Sequence, residues 1–110
     1  MEINHYQQEA IRTAIYPDNM RVTYPTLGLA GEAGEVAEKV KKVHRDHGGF
    51  FDPIAKQALR KEIGDVLWYC AALASDLGFT LQEVAEANLE KLRARREKNL
   101  ISGEGDNREE

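Results

Sequence analysis

Apolar residues recur at helical spacing in four stretches of this chain, and nowhere do they alternate with the period of a strand. The first predicted helix runs from about residue 5 to 15, with Asn4 as N-cap and Gln7 three residues on as its capping-box partner. Tyr16-Pro17-Asp18-Asn19 ends it. A loop follows to Pro25, because a proline pushes the residue before it, here Tyr24, out of the α region. The second helix begins near Thr26 and carries Leu29, Val36, Val40 and Val43 on one face; it runs to about Asp46 and stops at Gly48-Gly49. The third has Asp52 as N-cap and Pro53 at its first position, and extends to about Leu77 before Gly78. Its expected core stripe is Leu59, Ile63, Val66, Leu67, Cys70 and Leu73. The fourth opens with a Thr80/Glu83 capping box and runs through Leu81, Val84, Asn88 and Leu92 towards Asn99. The expected fold is all-α, a four-helix bundle. Residues 1–100 form one domain, and residues 101–110, mostly the polar run SGEGDNREE, form an exposed C-terminal tail.

Two acidic pairs stand out against this pattern: Glu32 and Glu35 in GLAGEAGEV, and Glu62 and Asp65 in KEIGDVLWY. A three-residue step turns a helix by about 300°, so each pair shares a face and its charges repel. Gly31, Gly34 and Gly64 accompany the pairs, each weakening its helix by about 1 kcal/mol relative to alanine. With nineteen acidic residues in the chain, such spacings also arise by chance on solvated faces. The duplication, the glycines and the apolar flanks favour a site. Four carboxylates suit a hard divalent cation, and the absence of cysteine or histidine among them favours Mg²⁺ or Mn²⁺ over zinc. Plain antiparallel pairing sets residue 32 towards the far end of the third helix rather than opposite residue 62. Closure of the cage is therefore expected to need a large crossing angle, a broken helix or a partner subunit. A di-iron bundle needs two inward E-x-x-H motifs, and only Glu2 and His5 have that spacing.

Composition narrows the classes. With 110 residues, 42% hydrophobic and 31% charged, the chain suits one soluble helical domain. A net charge of −4 argues against a nucleic-acid partner, and an acidic protein handling phosphates needs a metal or a local basic cluster. Cys70, the single cysteine, is expected in the core. No apolar run suits a membrane span or a signal peptide, so a cytoplasmic location is expected.

Asn88, Lys91 and Arg95 fall at i, i+3 and i+7, one face of the fourth helix, and suit a polyphosphate beside a metal. The alternative is a solvated face of ion pairs, which is preferred for Arg93 and Arg96. Lys42 is placed either towards the acidic site or in an ion pair with Glu38. Trp68 and Tyr69 are read first as core and second as a pocket wall on which a base stacks. His44 and His47 read as cations at a helix C-terminus.

The segments GLAGEAGEVAEKVKK, KEIGDVLWYCAALA and VAEANLEKLRAR resemble the MazG-type, all-α nucleoside triphosphate pyrophosphohydrolases over about residues 26 to 96. The resemblance implies Mg²⁺ held by Glu32, Glu35, Glu62 and Asp65, and phosphates engaged by Asn88, Lys91 and Arg95. It implies hydrolysis of a nucleoside triphosphate between its α- and β-phosphates, with Glu35 or Glu38 as base for a metal-activated water. It further implies a homodimer or homotetramer with helices contributed across the interface, and a role in nucleotide-pool cleansing or control. His5, Tyr6 and Gln7 loosely match the family's N-terminal base pocket. The tail SGEGDNR resembles extensions of single-domain, phage-type members. Two rivals remain: a dUTP- or dCTP-preferring relative, and a catalytically idle helical module that binds nucleotides or a protein.

Overall fold

The computed structural model describes the backbone of residues 1–102 and side chains to Asn99. Four α-helices are present: α1 (Ile3–Ile11), α2 (Thr23–His47), α3 (Pro53–Asp76) and α4 (Leu81–Ser102), with a 3-10 turn at Asp18–Met20. No strand occurs among the described residues. The tail expected at residues 101–110 lies outside the described residues, apart from the backbone of the last turn of α4.

Local signals set most of the helix ends. Asp52 accepts a hydrogen bond from the Ala55 N–H at 2.8 Å, with Pro53 opening α3. The Thr80/Glu83 capping box forms in both directions, at 2.8 and 3.1 Å. Gly48 takes the left-handed conformation, φ +58°, that ends α2. Gly78 likewise has φ +86° after α3.

The N-terminal third departs from the sequence expectation. The first helix spans only residues 3 to 11, and Asn4 and Gln7 do not cap it. Both reach across the fold instead. Asn4 accepts from the Gln82 N–H, and Gln7, the one buried polar side chain among the described residues, bonds four groups. Its amide donates to Ser75 Oγ at 2.9 Å, to the Phe79 carbonyl at 3.0 Å and to the Ala71 carbonyl at 3.3 Å. Its Oε1 accepts from the Leu81 N–H at 2.8 Å. Gln7 thus satisfies the buried Leu81 N–H where α4 begins and the Phe79 carbonyl in the turn between α3 and α4.

The start of α2 also differs. The helix includes Tyr24 and Pro25, because a proline in the first turn lacks an N–H that would have no helical partner anyway. Val22 precedes it at φ +67°, ψ −51°, closed by a 2.7 Å bond from the Thr23 N–H to the Arg21 carbonyl. A β-branched residue at positive φ costs on the order of 1–3 kcal/mol. Asp76, at the end of α3, holds the turn by accepting from the Val22 N–H at 2.8 Å and the Tyr16 hydroxyl at 2.9 Å.

The third helix is central, packing against α2, α1 and α4, while α4 rests on α1 and α3. The buried cluster is built from small residues: Ala10, Ala71, Ala74 and Leu81, with Tyr6, Trp68 and Cys70 against it. The expected stripe of α3 is therefore corrected. Ile63 is 57% exposed and Leu67 is also exposed, while the alanine face at 71, 72 and 74 is buried. Alanines allow the backbones of α1 and α3 to approach, and the aromatic rings fill the space around them.

Replacing Gln7 with alanine leaves several buried backbone groups without partners, and should lower unfolding free energy by about 2–4 kcal/mol in a urea titration. Thr80→Ala removes only one cap bond and should cost about 1 kcal/mol in the same assay.

Candidate functional site

The pairing of α2 with α3 brings acidic side chains from both helices to one place. One carboxylate oxygen from each of Glu32, Glu62 and Asp65 lies within 4.8 Å of the others. Both helices run unbroken through these positions, so no broken helix and no partner subunit is needed to gather the three carboxylates. The register explains this. Lys39 meets Glu62 and Gly28 meets Tyr69, so position 32 lies opposite positions 65 to 69. Residue 62 is then offset by roughly 5–10 Å at the 1.5 Å helical rise, a span that two glutamate side chains cover.

The cluster's electrostatics are unfavourable without a cation. Partial burial, then the charges of Asp65, Glu62 and Glu35, push the Glu32 carboxyl above its ordinary value. An opposing charge is at hand: Lys39 Nζ lies 3.9 Å from Glu62 Oε1. The donors are all carboxylate oxygens, two half-buried and one exposed, which suits a hard divalent ion that keeps some of its water.

Glu35, expected as a fourth ligand, is exposed and lies outside the three-carboxylate group, though its charge reaches Glu32. Glu38 is engaged by Lys41 at 3.2 Å, and that hydrogen bond, with the lysine's charge, holds its carboxyl below the usual range. Lys42 lines a different pocket, beside Val43, His47, Asp52 and Leu59 near the α2–α3 turn. Lys39 rather than Lys42 faces the acidic group. Its position seven residues after Glu32 was the available signal.

Beside the carboxylates is a pocket of about 340 Å³ lined by Glu32, Asp65, Trp68 and Tyr69. Trp68 is anchored by its indole N–H, which donates to Thr13 Oγ1 at 2.8 Å and to the Ala10 carbonyl at 3.1 Å. Its ring meets Tyr69 edge-on at 4.9 Å. Tyr69 in turn lies so close over Gly28 that a Cβ there would collide with the ring. The glycines next to the acidic pairs have no such role: Gly31, Gly34 and Gly64 have nothing within 4 Å of a built Cβ.

Asn88 and Lys91 are exposed and Arg95 is half-buried on α4, and none of them lines this pocket. Of the N-terminal residues matched to a base pocket, His5 is exposed and Gln7 serves the core. Tyr6 packs against the core within reach of Asp65, whose charge, after burial, raises the Tyr6 hydroxyl. No described helix is long and apolar enough to cross a membrane.

The profile of the MazG nucleotide pyrophosphohydrolase domain matches residues 23–100. A protein of Mycobacterium phage L5, named Gene 37 protein, is 45% identical over 114 residues, covering 98% of this chain and all of that one. No solved structure matches.

Two sets of variants test this geometry. Gly28→Ala should lower stability by about 1–3 kcal/mol through collision with Tyr69, while Gly31→Ala should raise it by up to about 1 kcal/mol, both read by urea unfolding. For Glu32, the raised folded pKa means the folded state holds this proton more tightly than the unfolded chain. Its penalty is absent well below the ordinary value of 4.5, grows as pH rises past it, and is complete above the raised folded value. Glu32→Gln should therefore raise the Tm of the metal-free protein at pH 7 and flatten its decline from acid to neutral pH. It should also reduce the Tm gain on adding Mg²⁺.

Proposed function

Because the chain belongs to the MazG nucleotide pyrophosphohydrolase family, we propose that it hydrolyses nucleoside triphosphates to monophosphate and pyrophosphate with Mg²⁺ as cofactor, Mn²⁺ substituting. The observation that carries this reading is the meeting of Glu32, Glu62 and Asp65 beside an aromatic-walled pocket. Three carboxylates this close repel one another, and a divalent cation turns that repulsion into attraction.

In this reading Glu32, Glu62 and Asp65 hold the metal, with Glu35 added from the exposed side of α2. When bound, Mg²⁺ neutralises triphosphate charge and acidifies a water. Trp68 and Tyr69 offer faces on which a base stacks, keeping the triphosphate end towards the carboxylates. Lys39 steadies Glu62 and supplies positive charge near the phosphates. A water oxygen is added at the α–β junction, the bridging P–O bond breaks, and pyrophosphate leaves. Glu35 is the better placed base to take the water proton, because Glu38 is committed to Lys41.

The phosphate-binding role of Asn88, Lys91 and Arg95 is assigned across an interface, since α4 of the same chain does not reach the pocket. A second copy is supported by apolar surface on α3 and α4: Ile63, Leu67, Val84, Leu89 and Leu92 are all exposed. The radius of gyration, 17.5 Å, exceeds the roughly 13 Å of a compact chain of this length. A homodimer or homotetramer covers that surface. The proposed role is cleansing or control of the nucleotide pool.

With Mg²⁺ and a panel of standard and modified nucleoside triphosphates, pyrophosphate should be released, and chelation should stop it. Orthophosphate as the sole product overturns the cleavage position. Binding without turnover favours the idle-module alternative. Asp65→Asn should lower kcat on the order of 100-fold, and wild-type turnover in that variant overturns the metal assignment. Leu89→Glu with Leu92→Glu should reduce the mass seen by sedimentation and turnover together.

A further inference from the structure

We propose that Asp76, on none of the motifs that carry the metal or the phosphates, is a positioning residue that sets the base-stacking wall of the pocket. The inference rests on the reading of that pocket as a nucleotide site. The side chain of Asp76 is 9% exposed and ends α3, where the helix dipole disfavours a carboxylate. It is kept there by directed donors. One oxygen accepts from the Val22 N–H and the Tyr16 hydroxyl, and the other faces Arg21 Nε at 3.8 Å.

One of those donors, the Val22 N–H, belongs to the strained turn that starts α2, and the other, Tyr16, lies just before the 3-10 turn that leads into it. Val22 holds a positive φ that glycine would adopt freely, and its side chain makes no cap. Such strain persists only where the surroundings over-determine it. Here the Val22 N–H is held by Asp76, while its carbonyl accepts from the N–H and hydroxyl of Thr26 within α2 itself; Asp76 is the partner that comes from another helix.

What the clamp positions is aromatic. Tyr16, held by its hydroxyl, stacks on Tyr24 with centroids 4.9 Å apart and planes 13° from parallel. Tyr24 leans on Tyr69 at 6.4 Å, and Tyr69 forms the pocket wall with Trp68, beside Glu32 and Asp65. Releasing Asp76 frees Tyr16 and the first turn of α2, so Tyr24 no longer braces Tyr69. The carboxylates lie further along both helices and keep their register through the Gly28–Tyr69 and Lys39–Glu62 contacts. The loss should therefore fall on the base and spare the phosphates and metal.

The test compares wild type with Asp76→Ala, which removes the oxygen that accepts from Val22 and Tyr16 (an asparagine carbonyl could still accept both), and Tyr16→Phe, which keeps the stack but not the hydroxyl. KM is measured for each of the eight standard ribo- and deoxynucleoside triphosphates, alongside the inhibition constant of inorganic tripolyphosphate, which has no base. In Asp76→Ala, KM should rise on the order of tenfold, while kcat, the Mg²⁺ midpoint and the tripolyphosphate constant stay within about twofold. Tyr16→Phe should show the same pattern more weakly, and it carries the test alone if Asp76→Ala does not fold. Equal shifts for nucleotide and tripolyphosphate, or a lower Tm with unchanged KM, overturn the proposal. If wild type releases no pyrophosphate from any of the eight, the enzymatic reading has failed independently. The clamp is then tested by nucleotide titration of Trp68 fluorescence, specific because Trp68 is the only tryptophan. Weaker nucleotide quenching in the variants supports the clamp, and unchanged quenching overturns it.

Discussion

The register between α2 and α3 is the constraint on which the rest of this structure depends. Two of the contacts between these helices mark it: the Tyr69 ring against the bare backbone of Gly28, and Lys39 against Glu62. The aromatic contact is the stricter of the two. A ring seated where no Cβ exists cannot slide by one residue, because the neighbouring positions 27 and 29 carry leucines. An ion pair with a half-exposed lysine tolerates far more movement and adds little by itself. With the register set, Glu32 meets Glu62 and Asp65, and Trp68 and Tyr69 line the space beside them. A shift of one residue would turn the carboxylates by about 100° and disperse the cluster.

A core of this size cannot be held by apolar burial alone. Its fully buried residues are mostly alanines, which release little surface from water. Directed polar bonds compensate. Gln7 ties α1 to the α3–α4 turn through both ends of its amide, and Trp68 ties α3 back to the end of α1. These bonds specify one arrangement more than they add stability, since each net gain is small but each loss strands a buried group. The same logic holds at Asp76, where one carboxylate retains a turn that its own residues disfavour.

The acidic cluster works in the opposite direction. Glu32 is raised by partial burial and by its neighbours' charges, so the metal-free chain carries a local electrostatic cost. Helix propensity is also sacrificed nearby at Gly31, Gly34 and Gly64, which face open space in this chain. Both costs sit on the stretches of α2 and α3 that carry the carboxylates, and exposed Ile63 and Leu67 lie on the same stretch of α3. Repulsion, glycines and uncovered apolar groups on these stretches fit the metal, the substrate and the second copy proposed above.

Local chemistry alone determined the number and order of the helices and several of their ends. Asp52 before Pro53, Thr80 with Glu83, and Gly48 and Gly78 act within four residues, so they read directly from the chain. The acidic pairs were legible for the same reason, as were the motifs that place the chain in its family. Tertiary structure decided what depends on contacts between distant residues. Gln7 has the spacing of a capping residue but finds stronger partners 64 to 74 positions away. Pro25 fits the first turn of α2 locally, but the positive-φ entry at Val22 is held by Asp76, 54 residues away. Glu32 converges with Glu62 and Asp65 while Glu35, one turn on, stays exposed, and Lys39 replaces Lys42 beside the site. Periodicity assigns a residue to a face of its own helix. Which other helix that face meets, and at what height, is set by packing alone.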